Sequence, residues 1–429
     1  MKKRIQGTEH EYTMYCKRMG ELGLDPHVLA LELLRESSLH AAGEFVTNQS
    51  RAYLDVGHLE LSTCETSNFR DLLVWEKAGE KIVDWLRKKL EEKYCSDDVK
   101  IWAYKNNTSP DGVAYGSHEN YCVARDILFP DRFVKELVPH LVTRFIYTGA
   151  GDILDGKYVL SPSVYKTGTV VSWDTMHNTG VLNTRDEPHA SNEKYRRLHL
   201  QIGDALLNEN AILLRQFVTS GVLELMENGA LKDAPKLSRP LDDMWHNVES
   251  TNPDKWKIEL DGGKTVSPIE IQRYYLRKLD AIVATDIEKK TIRLLEEVLD
   301  TLEKKDGKKA ARKVEWLDRY YAIQELSDGN FASDSAMKVC KRYSELGEDR
   351  SIFYSRLRKG LVDRAITDDQ ILKAVSCPPD DTRAFARKNL CDSEKVSDMD
   401  WSQVVVIRKG MKLTIELLDP YSSRVPGGG

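Results

Sequence analysis

Two hydrophobic periods divide this chain, and their separation constrains its fold more than any other feature. Segments that alternate apolar and polar residues in steps of two crowd into roughly the first 200 residues. Segments with helical spacing dominate after them. Runs of strands followed by runs of helices specify an α+β protein rather than an alternating α/β one. Strands are expected at residues 4–12, 52–65, 100–104, 121–125, 159–161, 170–173 and 196–203. The strand at 121–125 follows a turn at Ser109-Pro110-Asp111-Gly112. Helices are expected at 22–37, 72–93 (with Glu/Lys pairs on its wet face), 133–149 and 211–228, and through 269–319. A basic run at 304–312 reads as a solvated helix junction. A smaller C-terminal unit starts near residue 351, with a helix at 368–375, a stop at Pro378-Pro379, a second helix from Thr382 and a final strand pair. The expected division is therefore 1–350 for a large domain, 351–421 for a small domain and 422–429 for a tail.

Length and charge narrow the class. A chain of 429 residues can bury a sizeable core. Its 63 basic and 68 acidic residues nearly cancel, so no global field calls for nucleic acid or an anionic membrane. No apolar run approaches the ~20 residues of a membrane helix, and the basic start Lys2-Lys3-Arg4 has no apolar stretch behind it. The seven cysteines, Cys16, Cys64, Cys95, Cys122, Cys340, Cys377 and Cys391, are odd in number and scattered. They read as reduced thiols of a cytoplasmic protein rather than a disulfide scaffold or zinc ribbon.

Four constellations carry more polar function than folding requires. In Gly7-Thr8-Glu9-His10-Glu11 the two glutamates share one face of a strand. That gives either a hard-oxygen site for Mg²⁺ or a wet strand with incidental acids. In 53–60, Asp55 lies between apolar neighbours, where a carboxylate is desolvated and paired or else catalytic. Glu60, five positions on, faces the other way on a regular strand unless a bulge near Gly57 intervenes. Lys105-Asn106-Asn107 precedes Ser117-His118-Glu119-Asn120, a dense polar group that is a site or hydrogen-bonded structure. Finally, Arg185, Arg196 and Arg197, with His189, offer forks that match phosphate oxygens, or an ion-paired loop. Together they describe a site for ATP, Mg²⁺ and a carboxylate, without the glycine-rich phosphate loop or the protein-kinase motifs.

These blocks, 7–12, 53–55, 105–107, 115–121, 183–189 and 195–199, resemble in order and spacing the signatures of the Pup ligase and depupylase enzymes, and Ser376-Cys377-Pro378-Pro379-Asp380-Asp381-Thr382-Arg383-Ala384 is similar to a segment of their small C-terminal domain. The resemblance implies a glutamine-synthetase-like fold, a curved, mostly antiparallel sheet backed by helices. It implies that ATP phosphorylates a glutamate side-chain carboxylate, that an amine displaces the phosphate, and that the partners are a Pup-like protein or another glutamate-type carboxylate and a lysine-bearing protein or small amine. Carried over, Glu9, Glu11 and Glu60 are metal ligands, His118, His189, Arg185 and Arg197 bind ATP or its phosphates, and Asp55 is the catalytic carboxylate.

Only 38 residues separate Tyr12 from Arg51, too few for the inserted loop of depupylases, which favours a ligase. The alternatives are a depupylase- or deamidase-like hydrolase and a phosphotransferase on a small carboxylate. Departures from the family pattern stand at His58-Leu59-Glu60-Leu61 and at Gly203-Asp204-Ala205-Leu206.

Overall fold

A computed structural model describes residues 1–16, 25–94, 100–109 and 113–426. The first three residues of the helix expected at 22–37, Cys95, the turn residues 110–112 and the end of the tail lie outside the described residues. The chain is α+β, with two compact units. One comprises Lys3–Arg125, Asp186–Arg197 and the chain from Ile366 onward; the other comprises Met1–Lys2, Asp126–Arg185 and Leu198–Ala365. This division differs from a boundary near 351, because the last segment shares a unit with the N-terminal strands. Among the described residues no helix is long and apolar enough to cross a membrane.

The first unit is built on β1 (Gln6–Cys16), followed by α1 (Pro26–Arg35), β2 (His40–Ala42), β3 (Phe45–Val46), β4 (Arg51–Asp55), β5 (His58–Ser62), α2 (Phe69–Tyr94), β6 (Ile101–Tyr104) and β7 (Ser117–Ala124). β1 is flanked by β5 and β7, with β6 on its far end, and these pairings are antiparallel. The period of two is strict along β1: Thr8, His10, Tyr12 and Met14 are buried, while Glu9, Glu11 and Thr13 are half-buried on the other face.

The inner face of β1 is polar, and α2 matches it. His10 Nε2 lies 3.0 Å from Glu76, and Lys105 Nζ donates to Glu76 at 2.9 Å and Glu80 at 3.0 Å. Lys77 also pairs with Glu80. Glu76, Lys77 and Glu80 are therefore buried, so the Glu/Lys pairs of this helix divide: Lys89 and Glu92 pair on its wet face as expected, while the pairs nearer its start face the core. Charges enter a core when each finds a partner there, and Lys105 belongs to that arrangement.

The single strand expected at 52–65 is a hairpin. β4 and β5 pair Asp55 with His58 and Tyr53 with Glu60. Val56 and Gly57 form the two-residue turn at φ 47° and 89°, the pattern of a type I′ turn. Gly57 suits it, but a β-branched residue is strained in the left-handed region. Val56→Asn should therefore stabilise the protein by about 1 kcal/mol, read as a higher Tm; an unchanged or lower Tm would contradict the strain.

From residue 366, the helix Asp368–Ser376 packs on α2, where Trp75 Nε1 donates to the Cys377 carbonyl at 3.0 Å. The helix Arg383–Ser393 and the strands Val396–Asp400, Gln403–Arg408 and Met411–Glu416 close around Phe45, Leu390, Met399, Val404 and Val406.

In the second unit Thr167–Ser172 runs parallel to Thr179–Asn183. Its helices include the almost wholly buried Glu209–Glu227 and a pair, Pro268–Asp280 and Asp286–Glu303, started by capping boxes at Ser267 and Thr285. The helix expected at 133–149 is three short ones, Asp131–Glu136, Val138–Leu141 and Phe145–Thr148, divided near Pro139. In the basic run, Lys304, Lys305, Lys309 and Arg312 pair with Asp300, Asp254, Glu297 and Asp363, a solvated junction as expected.

Candidate active site

The half-exposed face of β1 aligns its glutamates with the neighbouring strands. Glu11 stands opposite Glu60, and Glu9 opposite Ser62 on one side and His118 on the other. Because Tyr53 pairs with Glu60, Asp55 two residues on shares that face. Carboxylate oxygens of Glu11, Asp55 and Glu60 lie within 4.8 Å of one another. This answers the parity problem: the tight turn, rather than a bulge, brings Asp55 and Glu60 to one side.

The three carboxylates differ in environment. Glu60 is buried and accepts hydrogen bonds from the hydroxyls of Tyr53 and, at 3.4 Å, Ser62. Its burial, then the charge of Glu9, push its pKa up to about 8. Glu11 Oε2 lies 2.6 Å from His58 Nδ1, and the His58 ring stacks on Tyr115 at 4.4 Å. Asp55 is exposed at the end of β4, between exposed Leu54 and Val56. The desolvated, paired state weighed from its apolar neighbours is thus not what the fold gives it.

Glu9 joins this cluster to a basic wall. It lies 3.6 Å from His118 Nδ1 and 3.5 Å from Arg197 Nη1. Burial opposes a charge on His118, but Glu9, then Glu60 and Glu11, outweigh it and raise its pKa. Arg196 sits 3.2 Å from Asp186, which also binds Arg125. Glu9, Glu65, His189, Arg196, Arg197, Arg383 and Trp401 are among the residues lining a pocket of about 690 Å³, open solvent included. Part of His189 stays in solvent, yet its removal from water against the wall holds its pKa below the usual value, and Arg197 and Arg383 add to this.

The fold thus brings Glu9, Glu11, Asp55, Glu60 and His118 onto one face and places His189 and Arg197 in the adjoining pocket. Arg185 is exposed beyond Thr179–Asn183, its backbone N–H bonded to Asn183 Oδ1 at 2.8 Å, and it does not line this pocket. Tyr53 and His58, which hold Glu60 and Glu11, were within recognised motifs but carried no assigned role. Arg383 lies in the 376–384 block that resembles the family's C-terminal domain but carried no assigned role, and Trp401 gave no signal beyond lying in the C-terminal segment.

A cluster of carboxylates beside a guanidinium-walled pocket is the arrangement of an enzyme that handles phosphate. The sequence model of the Pup-ligase protein family matches residues 4–405, and the chain belongs to that family. Among curated proteins, the Pup–protein ligases of Geodermatophilus obscurus and Kribbella flavida are each 31% identical, and each alignment covers 99% of this chain and 97% of the relative. Among solved structures, Pup in complex with its ligase PafA gives a TM-score of 0.88 at 27% identity, covering 99% of this chain and 90% of that one. The Pup ligase PafA in complex with ADP gives 0.81 at 26%, covering 94% and 92%.

Proposed function

We propose that this chain couples ATP cleavage to an isopeptide bond between the C-terminal glutamate of Pup and a lysine of a target protein. It is an enzyme, an ATP-dependent carboxylate–amine ligase. The observation that supports this reading best is the Glu11–Asp55–Glu60 cluster abutting, through Glu9, a pocket walled by Arg196, Arg197 and His189. Its setting is the cytoplasm, in keeping with six described cysteines that are all free.

The donor set fits Mg²⁺, since Glu9, Glu11 and Glu60 offer only hard oxygens. When bound there, Mg²⁺ would screen the phosphate charge. Arg197 and Arg196 orient the phosphates in the pocket. The glutamate carboxylate attacks the γ-phosphorus; its P–O bond forms as the bond to the β-phosphate oxygen breaks, and ADP leaves. The resulting acyl phosphate is an electrophile that the free carboxylate is not. Asp55, open to solvent, takes the proton from the incoming lysine ammonium; the amine attacks the acyl carbon and inorganic phosphate departs.

Incubation with ATP, Mg²⁺, Pup ending in glutamate and a lysine-bearing protein should yield a conjugate and ADP in equal amounts. Cleavage of a conjugate without matching ATP turnover would instead establish the hydrolase. Arg197→Ala should weaken ADP binding by about 10- to 100-fold, the worth of a charge-assisted hydrogen bond. Unchanged affinity by calorimetry would remove the nucleotide from this pocket.

A further inference from the structure

The pocket wall is made of segments far apart in sequence, and one buried carboxylate ties them together. Glu65, on the chain after β5, is 7% exposed. Its two oxygens accept from Arg383 Nε and from both terminal nitrogens of Arg387, the latter at 2.9 and 2.5 Å. The Glu65 carbonyl accepts from Thr382 Oγ1 at 3.0 Å. The two arginines then reach onward. Arg383 Nη1 donates to the His189 carbonyl and, at 3.2 Å, to that of Leu417. Arg387 Nη1 donates to the Trp401 carbonyl at 2.8 Å, and its guanidinium lies 5.3 Å from the ring centres of both Phe45 and Trp401. His189 and Trp401 are pocket residues, and His189 holds a left-handed backbone at φ 46°. Arg387 does not line the pocket.

We propose that Glu65 is a positioning residue for the nucleotide pocket, fixing Arg383 directly, His189 through Arg383, and Trp401 through Arg387. The inference rests on the reading that nucleotide occupies this pocket. Bidentate guanidinium–carboxylate pairs fix geometry as well as charge. Side chains that touch a ligand are held to a productive position by such supporting bonds. Glu11, Asp55 and Glu60 do not line this pocket, so loosening the latch acts on nucleotide affinity and spares the chemical step.

The full-length protein is measured as Glu65→Gln, Arg387→Lys and Arg197→Ala, with KM for ATP, kcat, ADP affinity and Tm for each. Glu65→Gln should raise KM for ATP by about tenfold or more, with kcat at saturating ATP within about threefold of wild type. Arg387→Lys, which keeps the charge but loses the fork, should raise KM in the same sense although it touches no nucleotide. A lower Tm with KM within about twofold of wild type, in either variant, overturns the proposal; should Glu65→Gln not fold, Arg387→Lys decides. If Arg197→Ala leaves ADP affinity unchanged, the pocket assignment has failed. If Arg197→Ala weakens ADP while the other two do not, the latch alone has failed.

Discussion

Asp55→Asn should bind ADP as the wild type does and fail to ligate. The substitution keeps the size of the side chain and removes its basicity. Asp55 does not line the pocket proposed for the nucleotide, so ADP affinity should stay within about threefold. The ligation rate should fall by about 10²- to 10⁴-fold, the usual worth of a positioned general base. The geometry supports this role over a structural one. Asp55 is exposed, among the described residues no hydrogen bond holds its carboxylate, and its oxygens still lie within 4.8 Å of Glu11 and Glu60. A lysine on a folded target protein can arrive only from solvent, and Asp55 is the carboxylate of the three that solvent reaches most. A conjugation time course at saturating ATP, with ADP titrated in parallel, checks it. Wild-type conjugation would exclude Asp55 as the base. Loss of Mg²⁺ affinity along with the rate would make it a metal ligand instead.

What could be read from the chain, and what could not, follows from the range of each signal. Glu9 and Glu11 on one face was legible because a strand's period of two is local, and β1 keeps it through all eleven residues. The same rule misled for Asp55 and Glu60, since it presumed one continuous strand. Gly57 marks the turn, but Val56 before it is a poor type I′ residue and masks the signal. The first half of α2 was misread for a related reason. Glu76, Lys77 and Glu80 look like a solvated stripe until Lys105 and His10 are placed against them. Glu65, Arg383 and Arg387 meet across more than 300 residues, and such contacts leave no periodic trace in one sequence. The α+β class survived these errors because it depends on how many segments show each period, not on where each one ends.

Mg²⁺ should bind this protein more tightly as pH rises, with the gain ending near pH 8. Glu60 is the cause. Burial first, then the charge of Glu9, lift its pKa to about 8, so in the ligand-free protein it holds a proton at neutral pH. A metal ligand must be ionised, so binding expels that proton. Below pH 8 the apparent affinity should fall by up to about tenfold per pH unit, with close to one proton released per ion at pH 7. Glu60→Gln should weaken Mg²⁺ by about 100-fold or more and remove the pH dependence between pH 6 and 8. The same residue sets a stability slope of the opposite sign. Glu60 has a folded pKa above the 4.5 of a free glutamate, so the folded state holds more protons between pH 4.5 and 8. Its contribution is complete below that range and is lost as pH rises through about 8, so ligand-free protein should lose stability across this window. Saturating Mg²⁺ should oppose that loss, because it binds the ionised folded form. Calorimetry in two buffers of different ionisation enthalpy, with thermal melts at pH 6, 7 and 8, tests both signs. A flat Mg²⁺ affinity across that range would show that Glu60 is not displaced from its proton and so is not a ligand.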